Sequence, residues 1–239
     1  MKTSVLIIAH NEEKYISKCI LSILNQTQKP DEILVVIHNS TDKTLDITKT
    51  FPIKFLELNG EVGPVYARME GIKNVSGDIV LCIDGDSVAE NNWIEIMTKT
   101  LKSNNNILVG SWIKNKGTNI EVLSNMWNKY FCITKNDRAT KWLWGASFAF
   151  WGKNKDFIFK SLEKNIEIAR DLKLPKEKTA EDYWLALSMN KIGNIEITNE
   201  TWVTTNSKEN SSFAVISRSW KNVMNGNLMK KFDKKTHKK

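Results

Sequence analysis

The sequence predicts an α/β fold, a mostly parallel sheet with helices on both faces. Two observations carry that prediction. Apolar runs of strand length at residues 4–9, 33–37 and 78–83 lack the polar alternation of a half-exposed strand, as expected where both faces of a sheet are covered. The segments between them carry apolar residues at helical spacing, and strands separated by helices imply right-handed crossovers in a parallel sheet. Taken in order, Asn11 can cap a helix in which Tyr15, Ile16, Cys19, Ile20, Ile23 and Leu24 share one face. Pro30-Asp31 leads into the second strand, and Ser40-Thr41-Asp42 opens a short helix to residue 49. A third strand over 52–58, a helix over 65–74 and the fourth strand at 78–83 follow. The second half reads less regularly: helix 91–102, strand 107–113, helix 120–133, strand 147–151, helices 155–172 and 181–190, a partly extended 195–203, and helix 213–229.

At 239 residues, 41% apolar and 26% charged, the chain has the composition of one globular domain, expected over residues 1–229. Three widely spaced cysteines, Cys19, Cys82 and Cys132, suit free thiols in a reducing compartment. No apolar run approaches 18 residues, and the N-terminal run is too short for a signal-peptide core. The net charge of +8 is unevenly placed. Residues 1–110 carry 11 Lys and Arg against 14 Asp and Glu, whereas residues 111–239 carry 24 against 13. Six of those lysines lie in residues 228–239, and 230–239 reads as a basic flexible tail. Only Trp93 of the nine tryptophans precedes residue 111. The two halves therefore face different tasks.

In parallel sheets of this kind ligands bind beyond the carboxyl ends of the strands. Those ends are His10-Asn11-Glu12, His38-Asn39 and Asp84-Gly85-Asp86. Two carboxylates flanking one glycine after a strand can approach a single divalent cation, and all-oxygen ligands suit Mg²⁺ or Mn²⁺. Gly85 would let a phosphate come close to the backbone. Alone, Asp-Gly-Asp is equally a plain turn sequence.

The wider order of motifs resembles family 2 of the glycosyltransferases. Residues 4–12 are similar to the family's opening strand, with His10-Asn11-Glu12 where a Tyr-Asn-Glu-like signature stands. Ser22 to Thr27 resembles its first-helix ending, and residues 33–42 its second strand with a Ser-Thr-Asp helix start. Gly63-Pro64, Ala67-Arg68 and Gly71 resemble its G-x-x-x-A-R-N-x-G stretch. Gly77-Asp78 through Asp86 resembles its strand ending in D-x-D, with Trp93 as the aromatic that follows. The resemblance implies the Rossmann-like GT-A fold, with residues 1–110 as the nucleotide-sugar-binding half and 111–229 as the acceptor half. It implies a donor site at Ala9, His10, Glu12, His38, Gly63, Arg68, Asp84, Gly85 and Asp86, with Asp86 and Asp84 holding Mn²⁺ or Mg²⁺ against a diphosphate. Arg68 has the alternative reading of a helix-surface salt bridge.

Thr179 to Trp184 resembles the family's Glu-Asp motif. The match makes Asp182 the general base and Glu181 its supporting group in an inverting transfer; read without it, the pair is an acidic first turn favoured by the helix dipole. The segment from Trp142 to Ser147 resembles the loop before the acceptor strand, which places Trp142, Trp144 and Gly145 against the acceptor and Lys153 at the family's basic position after that strand. Ile37-His38 stands where the family has an Asp pair that reads the base. Arg218-Ser219-Trp220 is only faintly similar to the ending of processive synthases, and processive polymerisation is not expected.

The implied function is sugar transfer from a nucleoside-diphosphate sugar to a glycan, lipid-linked or protein hydroxyl. A nucleotide-sugar-binding homologue without activity is one alternative, and a haloacid-dehalogenase-like phosphatase opening on Asp84 is another. No zinc spacing or basic recognition helix points to nucleic acid. The expected location is cytoplasmic, with the lysine-rich tail either a solubilising end or a peripheral contact to an anionic membrane face.

Overall fold

The computed structural model describes residues 1–60, 63–116, 143, 145–174 and 181–206, together with Leu228 and Lys231. The helices expected at 120–133 and, apart from Leu228, at 213–229 lie outside these residues, as does the tail apart from Lys231.

The described residues form an eight-stranded sheet. Its strands are β1 (Thr3–Ala9), β2 (Glu32–His38), β3 (Lys54–Leu58), β4 (Ile79–Asp84), β5 (Ser87–Ala89), β6 (Asn106–Lys116), β7 (Ser147–Trp151) and β8 (Asn194–Asn206). Their order across the sheet is β3-β2-β1-β4-β7-β6-β8-β5. β3, β2, β1 and β4 are parallel neighbours, β7 runs antiparallel between β4 and β6, and β6 pairs parallel with β8. Among the described residues the α-helices are α1 (Ile16–Leu24), α2 (Thr44–Lys49), α3 (Pro64–Asn74), α4 (Trp93–Lys102), α5 (Lys155–Asp171) and α6 (Glu181–Met189).

The uninterrupted apolar strands have the reason the sequence suggests. Successive side chains point to opposite faces. Val5, Ile7, Ala9, Ile33, Val35, Leu81 and Ile83 therefore join α1 and α4 in one core. Leu6, Ile8, Leu34, Val36, Val80 and Cys82 join α3, α5 and α6 in another. Trp93 is fully buried in the first core and donates its indole N–H to Ser147 Oγ at 2.9 Å.

At the amino ends of these strands, Glu32 is enclosed with its side chain 3% exposed. It accepts hydrogen bonds from Ser4 Oγ (2.6 Å), Ser76 N (2.8 Å) and Ser76 Oγ (3.0 Å), and pairs with Lys54 Nζ at 2.9 Å. Burial pulls its pKa up, but these donors prevail and lower it from 4.5 to about 2. A depressed carboxylate pKa stabilises the fold above the unfolded value, and that stability is lost as pH falls through 4.5 towards about 2. Glu32→Gln is expected to cost about 1–3 kcal/mol at neutral pH, because buried donors lose a charged acceptor. Urea melts at pH 7 and pH 3 check this: the deficit should shrink at the lower pH, and a constant deficit would assign it to packing.

Candidate active site

β1 has β2 on one side and β4 on the other, so the direction of winding reverses between β1 and β4, the point at which sheets of this kind bind ligands in a crevice at the carboxyl ends. Asn11 and Asn39 cap the ends of β1 and β2 with φ of 54° and 47°. Asparagine tolerates this left-handed region better than most residues. Asn11 Oδ1 accepts from Thr41 N at 2.8 Å, and Asn39 exchanges two hydrogen bonds with the backbone of Gly60 at 2.9 and 3.0 Å. The strand ends are thereby tied into one rim.

On that rim the two histidine rings stack, with centroids 5.0 Å apart. His10 is exposed, and its Nδ1 donates to the His38 carbonyl at 2.8 Å. His38 and Glu12 are buried beneath the rim, as is Ala9. Glu12 anchors the turn that leads into α1: its carbonyl accepts from Tyr15 N at 2.9 Å and Ile16 N at 2.8 Å. Gly63 is the cap of α3, with Pro64 in the first turn.

Asp84 ends β4 opposite Ile8. Gly85 N donates to the Ile8 carbonyl at 2.8 Å, and a Cβ on Gly85 would lie 3.0 Å from that of Ala9. Glycine is thus needed for the turn to close on β1, an internal reason beside any approach of phosphate. Asp86 Oδ1 accepts from Ser87 Oγ at 3.1 Å and Thr205 Oγ1 at 3.3 Å, while its carbonyl accepts from Asn206 N and Nδ2. Thr205 and Asn206 carry no sequence motif. They arrive because β5, directly after the Asp-Gly-Asp turn, pairs Ser87 with Thr205 of β8.

Arg68 is not the surface ion pair that its place on a helix allows. It is 3% exposed, on the face of α3 that also buries Ala67, Met69, Gly71 and Ile72. Its Nη2 lies 3.3 Å from Asp84 Oδ1 and 3.9 Å from Glu181 Oε1, and Nη1 donates to the Gly145 carbonyl at 3.2 Å. Its guanidinium carbon sits 5.3 Å from the centre of the Phe148 ring. Burial works against the charge, yet Asp84, Glu181 and Asp182 hold its pKa above the ordinary value.

Glu181 and Asp182 open α6, where the sequence places them. Asp182 Oδ1 accepts from Tyr183 N at 2.7 Å and Oδ2 from Gly145 N at 3.4 Å. Burial, reinforced by the neighbouring Glu181 charge, pushes its carboxyl up to about 7. Gly145 thus serves both sides of the site, its carbonyl facing Arg68 and its N–H facing Asp182. The space beside its Cα is bounded by Arg68 Nη2, Asp182 Cβ and Glu181 Oε1 at 3.3–3.9 Å. Trp142 and Trp144 fall outside the described residues. Lys153 does not join this group: β7 runs antiparallel to β4, so the turn after it closes on Asp78 at the opposite end, where Gly152 N meets the Asp78 carbonyl at 2.7 Å.

The donor set fits a hard divalent cation. Asp84 is 37% exposed at the crevice, and both it and Asp86 offer only carboxylate oxygen. The nearby Cys19 thiol faces the Asp84 carbonyl at 3.5 Å, and burial, with the Asp86 and Asp84 charges, raises its pKa well above the usual value. Cys82 is buried and pushed up to about 12. Soft thiolate ligation is thereby disfavoured. Among the described residues no group of three or more His, Cys, Asp or Glu gathers as a closed metal site, so a cation held by Asp84 and Asp86 would take its remaining ligands from water or a bound molecule.

Known proteins resemble this chain in sequence and in fold. Glycosyltransferase GlyA of Streptococcus pneumoniae is 35% identical over 105 residues, which cover 42% of this chain and 15% of that protein. Glycosyltransferase GlyG of the same organism is 23% identical over 77% of this chain and 65% of its own length. Among solved structures, Staphylococcus aureus TarS residues 1–349 in complex with UDP-GlcNAc superposes with a TM-score of 0.64 at 20% identity, covering 90% of this chain and 61% of that one. The Pyrobaculum calidifontis mannosyltransferase PcManGT, in complex with GDP-Man and Mn²⁺, gives 0.68 at 15% identity, with 94% and 62% covered. Likeness at such identity shows the fold, and it is the expected GT-A type. The chain spans less than two thirds of the length of each of these four proteins. The model of glycosyl transferase family 2 matches residues 4–163, well over half of the sequence, and the chain belongs to that family.

Proposed function

We propose that the protein transfers a sugar from a nucleoside-diphosphate sugar to an acceptor hydroxyl with inversion at the anomeric carbon. The observation that carries this reading is the convergence on Arg68 of Asp84, from the strand-end turn, and Glu181, from the start of α6. Asp182, next in sequence, shares Gly145 with that same arginine. A carboxylate pair suited to a cation and a carboxyl tuned towards neutrality are thus built into one site. Asp182 takes the proton of the acceptor hydroxyl as its oxygen attacks, and a pKa near the working pH suits a base. The bond to the diphosphate breaks on the far side of the anomeric carbon. A divalent ion held by Asp84 and Asp86 would supply Lewis-acid neutralisation of the charge that develops on the diphosphate.

The relatives suggest the donor class: TarS is seen with UDP-GlcNAc and PcManGT with GDP-Man and Mn²⁺. With His38 buried and stacked under the exposed His10, the base would meet the His10 imidazole where the family pattern offers a carboxylate pair. A thermal-shift panel of nucleotide sugars with Mn²⁺ tests the reading. A donor at about 100 times its dissociation constant stabilises the fold by roughly 2.7 kcal/mol. One base should stand out and its shift should vanish with chelator; a panel with no shift at millimolar donor would defeat the proposal.

A further inference from the structure

Arg68 faces more charge than it can fully serve. One nitrogen, Nη2, is shared between Asp84 at 3.3 Å and Glu181 at 3.9 Å, while Nη1 is committed to the Gly145 carbonyl. Asp84 is the exposed partner at 37%, and Glu181 is the more enclosed at 19%. A buried arginine is stable only while carboxylates compensate it, so its charge must stay within this group. A cation approaching Asp84 from the crevice competes with Arg68 for that carboxylate. What Asp84 gives up, Glu181 and its neighbour Asp182 receive, since they are the other carboxylates around the guanidinium and burial pushes the adjacent Cys82 thiol up to about 12.

We propose that Arg68 is a positioning residue joining the two ends of the site: it balances Asp84 until a divalent metal takes that carboxylate, and its charge then settles on the Glu181–Asp182 pair. The inference rests on the transferase reading and adds an order to it. Metal and donor load first, and the base is fixed in place as a consequence. The Gly145 peptide is the mechanical part of the link, because movement of Arg68 pulls on its carbonyl while its N–H holds Asp182.

The test is Mn²⁺ binding without nucleotide, read by electron paramagnetic resonance, beside the kcat for nucleoside-diphosphate release from the donor identified in the thermal panel. Arg68→Met removes the competing charge, and Mn²⁺ affinity should rise about fivefold to twentyfold, a discounted Coulomb effect at this separation. The same variant should lose about 100-fold in kcat, as expected when a catalytic group is misplaced by about 1 Å. An arginine that merely holds the fold together would lower both quantities, and that result, or an unchanged Mn²⁺ affinity, overturns the proposal. Should the Met variant fail to fold, Arg68→Lys carries the test, since it keeps a charge but not the planar fork. It should bind Mn²⁺ within about twofold of the parent because the charge that competes is retained. Its kcat should still fall, and a parental kcat in the Lys variant also overturns the proposal. Failure of the underlying reading looks different: the unaltered protein would bind Mn²⁺ and release no nucleoside diphosphate from any sugar nucleotide, with the Mn²⁺ comparison still standing.

Discussion

Asp182→Asn is expected to abolish sugar transfer while leaving metal-dependent donor binding intact and making the protein more stable above neutral pH. Loss of a general base typically costs 10²- to 10⁴-fold, and an amide cannot take a proton from the acceptor. The substitution is nearly isosteric, and the amide oxygen can still accept from Tyr183 N, now 2.7 Å from Oδ1. The residues proposed to hold the donor and its cation, Asp84 and Asp86, lie on the strand-end turn rather than on α6, so binding of the nucleotide sugar should change little. Isothermal titration with donor and Mn²⁺, beside a product assay, separates the two; transfer within tenfold of the parent would remove Asp182 from the role.

The stability gain follows from proton linkage. In the folded protein the Asp182 carboxyl holds its proton up to about 7, whereas in the unfolded chain it releases it near 3.8. The folded state therefore binds more protons within that window, and unfolding becomes easier as pH rises through it. Asparagine has no proton to lose. Its advantage should be absent near pH 3.5, grow between about 4 and 7, and reach about 1–3 kcal/mol at pH 8, after discount for partial exposure. The same titration sets the activity profile. kcat/KM of the parent should rise with pH through about 7, reporting the base in the free enzyme. A donor-bound profile displaced to lower pH would accord with the charge of Arg68 passing to the acid pair.

Much of this site can be read from the sequence because its parts sit at strand ends. Continuous apolar runs locate β1, β2 and β4, and whatever polar residues follow them face the crevice. That rule finds His10, His38, Asp84 and Asp86 with no long-range information. Residues 194–206 escape it. Their strand is rich in Thr, Asn and Glu, is buried only in patches, and alternates poorly because a register shift falls between Ser111 and Trp112 of its partner β6. The three-residue β5 has no pattern of its own and exists through pairing with β8. The hydroxyl of Thr205 at Asp86 could therefore be found only in three dimensions. Arg68 is the instructive middle case. Helical periodicity places it correctly among apolar neighbours, but its partners Asp84 and Glu181 lie on other elements, so periodicity cannot say that the position is a buried ion cluster rather than a salt bridge in water.

Asp86→Asn and Asp84→Asn should both lose metal-dependent donor binding by 100-fold or so, since each replaces a charged oxygen ligand of a hard cation, and yet they should part company in stability. At Asp86 the hydroxyls of Ser87 and Thr205 donate to a single oxygen, Oδ1, which an asparagine carbonyl reproduces, and the bonds from Asn206 go to the backbone. The melting temperature should move by no more than a degree or two. At Asp84 the lost charge is the nearest partner of a buried arginine, with Glu181 remaining at 3.9 Å. Breaking one side of such a pair costs about 3–5 kcal/mol when burial is complete, and here about 1–3 kcal/mol, because Asp84 is 37% exposed and Glu181 shares the load. Differential scanning fluorimetry without metal, followed by titration with Mn²⁺ and the nucleotide sugar, gives both numbers from one set of proteins. Equal destabilisation would mean that Arg68 does not depend on Asp84. Undiminished Mn²⁺-dependent binding in Asp86→Asn would remove the metal from this turn altogether, and the diphosphate would then need its countercharge from elsewhere in a half of the chain that carries more acid than base.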